Sequence, residues 1–374
     1  MTTSRSAWVG VGSLLMLALG ALSSASCAAS SETRGALAPA EASVDPAASG
    51  SSPDAKAEPT PATMKAVRIH EFGGAEVLRY EDVPRPVAQE GELLVRVVAA
   101  GVNPLDSKVR AGSLRGLIRL PYTLGWELSG VVEAVGPKVT AFKPGDAIYT
   151  YMGRERGGAH AEYAIVPERQ ASRKPSTLSF RDAAAVPASA LTAWQALYES
   201  GHLRAGQTVF VQGGSGGLGG YAIQFAKLRG ARVIASASTK NLDLLRQLGA
   251  DEVVDYTTTR VTDVVRNVDV VLDAVGGEVL TAAIPLVRRG GFVVTLVGTP
   301  DAATLEKHGA LGVGANVRPD AKQLDAIRGL FEAGKLQVHV TQTYPLAEVE
   351  KAHAQIATGH TRGKLVLLIG EEPK

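Results

Sequence analysis

Gly214, Gly216 and Gly219 stand in G-x-G-x-x-G spacing inside the stretch Gln212-GGSGGLGG. Their setting gives that spacing chemical meaning. Thr208 to Val211 is a short β-branched run that reads as a buried strand. Leu218, Ile223, Ala226 and Leu228 then fall along a helix, and a second strand begins at Ala231. In a strand–turn–helix–strand unit, glycines let the backbone approach a pyrophosphate, and free N–H groups at the helix N-terminus meet its charge. The reading is a dinucleotide site at this turn. The alternative is a glycine-rich loop of an ordinary α/β domain.

The end of the second strand speaks to which dinucleotide. An Asp or Glu about 20 residues past the turn usually takes the ribose 2′-hydroxyl of NAD. Here the chain reads Ala235-Ser-Ala-Ser-Thr-Lys-Asn241, with no carboxylate before Asp243. Ser238 and Lys240 instead offer a hydroxyl and a cation suited to a 2′-phosphate, so the cofactor expected is NADP, bound as NADPH. The other reading of the pair is a solvated loop with Ser238 as a helix cap.

These residues need a scaffold, and the pattern supplies one. Met64–His70, Glu92–Ala99, Gly130–Val135 and Ala161–Val166 read as strands punctuated by Pro-Gly and Gly-Asp turns. From about 186 to 300 strands alternate with helices. Strands are expected at 208–212, 232–236, 252–255, 269–273 and 292–297, with helices at 242–249 and 278–289. That alternation predicts a doubly wound parallel sheet, hence an α/β protein. A helix at Ala321–Ala333 and a strand at Lys364–Ile369 follow.

The chain has 374 residues, a formal net charge of +2 and one cysteine. The near balance of charge and the lack of basic blocks point away from nucleic acid. A single cysteine excludes an intramolecular disulfide and a multi-cysteine zinc site. Arg5, an apolar run from Trp8 to Leu22 and small residues before Cys27 match an export signal, with residues 1–27 as the signal peptide. Lipidation of Cys27, giving a membrane-anchored or periplasmic lipoprotein, and simple secretion both fit. Residues 28–63 are Ala, Ser, Pro, Glu and Thr with few large apolar side chains, the composition of a disordered linker. Translation from Met64 would instead give a cytoplasmic protein.

From Met64 onward the chain resembles the medium-chain dehydrogenase/reductase superfamily in its zinc-independent, quinone oxidoreductase-like branch. The resemblance rests on Met64-KAVRIHEFGG, Ala100-GVNPLDSKVRAG, Gly125-WELSGVVEAVG, Lys143-PGDAIY, Pro187-ASALTAWQAL, the glycine turn and Gly359-HTRGKLVLLI. It implies a GroES-like, mostly-β catalytic domain at 64–185, a Rossmann domain at 186–309, and a segment 310–374 that completes the catalytic domain. The cofactor would lie in the cleft between them. Where zinc-dependent members place a Cys and a His, this chain has Asn103 and Trp126, so no metal is expected.

Without a Lewis acid the suited substrates are already electrophilic small molecules, such as quinones or α,β-unsaturated carbonyls. The resemblance places Asn103 and Thr192 beside the nicotinamide, Ser215, Gly216, Gly217 and Leu218 on the pyrophosphate, and Tyr256 beside the adenosine phosphate. Gly276 and Val297-Gly298-Thr299 end the fourth and fifth strands, where such a sheet presents ligands. Tyr149, with Tyr151, precedes a glycine-rich loop and is the candidate proton donor, against a reading as core packing. An enoyl-thioester reductase and a non-catalytic NADPH-binding redox sensor are the alternatives, and a homodimer is left open.

Overall fold

The computed structural model describes residues 62–153 and 156–372. The signal-like segment 1–27, Cys27 within it, and linker residues 28–61 lie outside the described residues.

Six strands form an all-parallel sheet. In spatial order they are Glu252–Asp255, Arg232–Ala237, Thr208–Val211, Val268–Asp273, Val287–Thr295 and Leu311–Gly314. Counted along the chain this is 3-2-1-4-5-6, the dinucleotide-binding order. It reverses direction between the strands ending at Val211 and Asp273. Their central residues, Val209-Phe-Val211 and Val270-Val-Leu272, are apolar and buried, as helices on both faces require.

The second layer system is a seven-stranded sheet built around the long strand Glu92–Val102. That strand pairs antiparallel with Glu127–Val135, Tyr163–Pro167 and Lys364–Leu368. Ala99, Ala184, Ala185 and Val366 make a layer of small residues that lets helix Phe180–Ala184 close on this sheet. The last strand, Lys364–Leu368, also touches the parallel-sheet half. Gly363 N–H donates to the Ser215 carbonyl at 2.8 Å, directly at the glycine turn.

Two expectations need correction. The helix expected at 278–289 ends at Ala283. A single turn around Pro285 follows, and the fifth strand already starts at Val287. Pro285 explains the stop, because it lacks the N–H and crowds the preceding turn. The sixth parallel strand, Leu311–Gly314, lies beyond 309, so the nucleotide-binding sheet extends past its expected end.

Candidate active site

A cleft of about 1010 Å³ lies where the parallel strands end. Gln212, Ser236, Ala237, Ala274, Val275, Leu296 and Val297 line it, each at or just past the C-terminal end of a strand. The opposite wall comes from the antiparallel half, with Val102, Asn103, Pro104, Trp126 and Tyr151.

The glycine turn lies between strand Thr208–Val211 and helix Gly217–Leu228. Ser215, Gly216, Gly217 and Leu218 all line the cleft, and Gly217 opens the helix Gly217–Leu228. Ser238, Lys240 and Tyr256 line its far end, joined by Asn241 and Arg260, which the sequence reading missed. Asn241 ties this end together, its Nδ2 reaching Ser215 Oγ at 3.3 Å and Ser238 Oγ at 3.2 Å. The nearest acids are engaged elsewhere. Asp255 accepts from Thr239 and Thr257, which holds its carboxyl below the usual range, and Asp243 pairs with Arg246 at 2.7 Å. Among the described residues no carboxylate belongs to the cleft lining, which carries Lys108, Lys240, Arg260 and Lys364.

Asn103 faces the cleft at the start of helix Pro104–Arg110. Its backbone N–H donates to Asp106 Oδ2 at 2.7 Å, and Asp106 Oδ1 accepts from Gly125 N–H at 3.2 Å. Burial raises the Asp106 carboxyl above its ordinary range, opposed mainly by nearby His160. The Asn103 side chain meets two residues that sequence reasoning did not combine with it. Lys364 Nζ donates to Asn103 Oδ1 at 2.6 Å and to Glu127 Oε1 at 2.6 Å. Asn103 Nδ2 donates to Glu127 Oε1 at 2.8 Å, and Ala188 N–H caps Glu127 Oε2 at 2.7 Å.

Other expected residues divide. Thr192 lines the cleft, but its hydroxyl proton goes to the Ala188 carbonyl at 2.6 Å, one helical turn back. Tyr149 does not reach the cleft. It is fully buried, its hydroxyl donates to the Leu324 carbonyl at 2.6 Å, and burial pushes its phenol well up. Its side chain is a packing element under helix Ala321–Glu332, whereas Tyr151 lines the cleft. Val297 lines the cleft, while Gly298 and Thr299 turn outward and are exposed. Gly276 is buried behind the lining, its N–H donating to Asp273 at 3.1 Å. Asp273 also accepts from Thr295 Oγ1 at 2.7 Å, which ties the ends of the fourth and fifth strands together.

The chain is similar to known proteins in sequence and in fold. Residues 89–176 match the alcohol dehydrogenase GroES-like domain, and residues 248–367 match the family described as zinc-binding dehydrogenase. Mouse quinone oxidoreductase is 34% identical over 327 residues, covering 82% of this chain and 98% of that protein. The 2-methylene-furan-3-one reductase of tomato is 35% identical over 322 residues, covering 82% of this chain and 79% of that one. The mycobacterial protein Rv1454c, solved in complex with NADPH, superposes with a TM-score of 0.74 at 30% identity. The match covers 82% of this chain and 99% of that one. The chain belongs to the medium-chain dehydrogenase/reductase superfamily.

As a member it is an oxidoreductase built from a GroES-like half and a Rossmann half. Zinc, named in the description of one matched family, does not fit the residues present. Asn103 and Trp126 are not ligands of the kind zinc prefers. Glu127 is already neutralised by the Lys364 ammonium. Among the described residues no group of three His, Cys, Asp or Glu could hold a metal ion.

Proposed function

We propose that this oxidoreductase uses NADPH to reduce a quinone or another α,β-unsaturated carbonyl, and does so without zinc. The observation that carries this reading is the charge of the cleft, lined by Lys108, Lys240 and Arg260, with Lys364 balanced by buried Glu127, and among the described residues by no carboxylate. An anionic dinucleotide suits that lining, and a ribose 2′-phosphate suits Ser238, Lys240 and Arg260 at its far end. Ser215 to Leu218 would take the pyrophosphate on backbone N–H groups. Asn103 and Thr192 would flank the nicotinamide, which supplies the hydride when the cofactor is bound. Trp126, Leu296 and Val317 give the acceptor an apolar wall that excludes water, and Asn103 offers its oxygen a hydrogen bond. The names of the mouse and tomato relatives and the NADPH complex of the mycobacterial one support the same choice.

Lys240→Ala tests the cofactor assignment. It removes one charge-assisted contact, so NADPH should bind about tenfold more weakly or worse. NADH lacks the phosphate and should bind as before. Equal weakening of both in fluorescence titrations would mean that Lys240 is structural.

Export belongs to the same proposal, on the strength of Arg5, the apolar run Trp8–Leu22 and Cys27. Mass analysis of the native N-terminus should find a lipid-modified Cys27 or a cleaved end beside it. A chain starting at Met64 would contradict export.

A further inference from the structure

The buried pair Lys364–Glu127 constrains a third residue. Lys364 is 5% exposed and Glu127 0%, so their charges face each other away from water. Each touches a different end of the Asn103 amide, the ammonium at Oδ1 and the carboxylate at Nδ2. Turning the amide over would set its oxygen against Glu127 and its NH₂ against Lys364, two repulsive contacts in place of two attractive ones. The amide orientation is therefore fixed by the pair. One of its two Nδ2 protons is spent on Glu127, and the other is available on a residue that lines the cleft.

The pair is itself held. The Lys364 stem lies against Gly217 of the glycine turn, where an added Cβ would come within 2.5 Å of Lys364 Cδ. Its Nζ also lies 3.4 Å from the Val102 carbonyl. Lys364 thus joins the phosphate-binding turn to the residue that faces the acceptor.

We propose that Lys364 and Glu127 are positioning residues that lock the Asn103 amide with an N–H directed to the acceptor's carbonyl oxygen. This rests on the carbonyl-acceptor reading above. In that reading hydride reaches carbon, negative charge builds on oxygen, and the locked N–H stabilises it. The amide keeps its proton, and the proton that completes the product comes from solvent.

The chain has four asparagines, at 103, 241, 267 and 316. Labelling with [¹⁵N]Asn therefore gives a small set of side-chain amide signals, and Asn103→Ala identifies the one from residue 103. Lys364→Met alone would strand a buried carboxylate, so the variant to use is Lys364→Met/Glu127→Gln, which removes both charges together. In cofactor-free protein it should move the Asn103 amide pair and speed its exchange with water, while the pairs of Asn267 and Asn316 stay in place. An unmoved Asn103 pair overturns the lock, whatever the substrate proves to be.

Kinetics with an enone supplies the second arm. Asn103→Ala should lower kcat by about 10²-fold, the usual cost of losing an oxyanion donor. The charge-free pair should lower it by about tenfold or more, with the NADPH dissociation constant changed by less than about threefold. Combining all three substitutions should be no slower than Asn103→Ala alone, because the pair acts through Asn103. Multiplying losses would overturn the proposal. If the native enzyme reduces neither quinones nor enones, the functional reading fails instead, and the amide signals still decide the lock.

Discussion

Glu127→Gln is expected to lower the free energy of unfolding by about 3–5 kcal/mol, the range for breaking one side of a buried ion pair. The substitution keeps the side chain's shape but leaves the Lys364 ammonium 5% exposed beside a neutral amide. The N–H of Ala188 and the amide of Asn103 would lose a charged acceptor as well. Adding Lys364→Met should recover a large part of the loss, because the stranded charge is gone. Urea unfolding of the three proteins measures both steps. A loss below about 1 kcal/mol for Glu127→Gln, the size expected of an exposed pair, would mean that water reaches this site.

Gly219→Ala should damage the cofactor seat more than any other one-carbon change in the turn. Its Cβ would come within 2.3 Å of the Gly213 carbonyl oxygen and 2.7 Å of Gly214 Cα. Both are backbone atoms of the turn, so no side chain can move aside and the turn itself must open. NADPH binding should weaken by about 100-fold, equivalent to about 2.7 kcal/mol, together with about 1–3 kcal/mol of stability. The neighbouring Gly220→Ala is the control. Its Cβ would meet only Leu248 Cδ1, at 3.4 Å, and binding should be close to normal. Native-like affinity in Gly219→Ala would show that the helix can slide away from the first strand.

The parallel sheet was legible because its strands are short β-branched runs between helices, and burial on both faces leaves few other readings for Val209-Phe-Val211 or Val270-Val-Leu272. Strand Leu311–Gly314 escaped because two glycines and an exposed leucine carry no such pattern. Its place comes from pairing with Val287–Thr295.

The end of the cleft at the glycine turn was legible for a similar reason: its residues lie close together in sequence. The chemical end was not. Glu127 and Lys364 are separated by 237 positions, and only the closing of strand Lys364–Leu368 onto strand Glu92–Val102 brings them together. Tyr149 and Tyr151 are two residues apart on one strand, and alternation alone assigns them the same face. Helix Ala321–Glu332, more than 170 positions later, covers the first and leaves the second at the cleft. Arg260 shows the opposite limit. It lies four residues past Tyr256, beyond the third strand, and no motif in the sequence ties it to the residues at the end of the second strand that it joins in the cleft lining.

Hydride transfer itself gives the most direct test. Purified protein is incubated with NADPH carrying deuterium at the transferring C4 position and with a simple enone, and the product is examined by mass spectrometry. Saturable oxidation of NADPH and a saturated ketone carrying one deuterium at the β carbon are expected, with quinones also accepting electrons from the same site. Tight NADPH binding with no labelled product and no quinone reduction would contradict the proposed function, leaving a cofactor-binding protein without this chemistry.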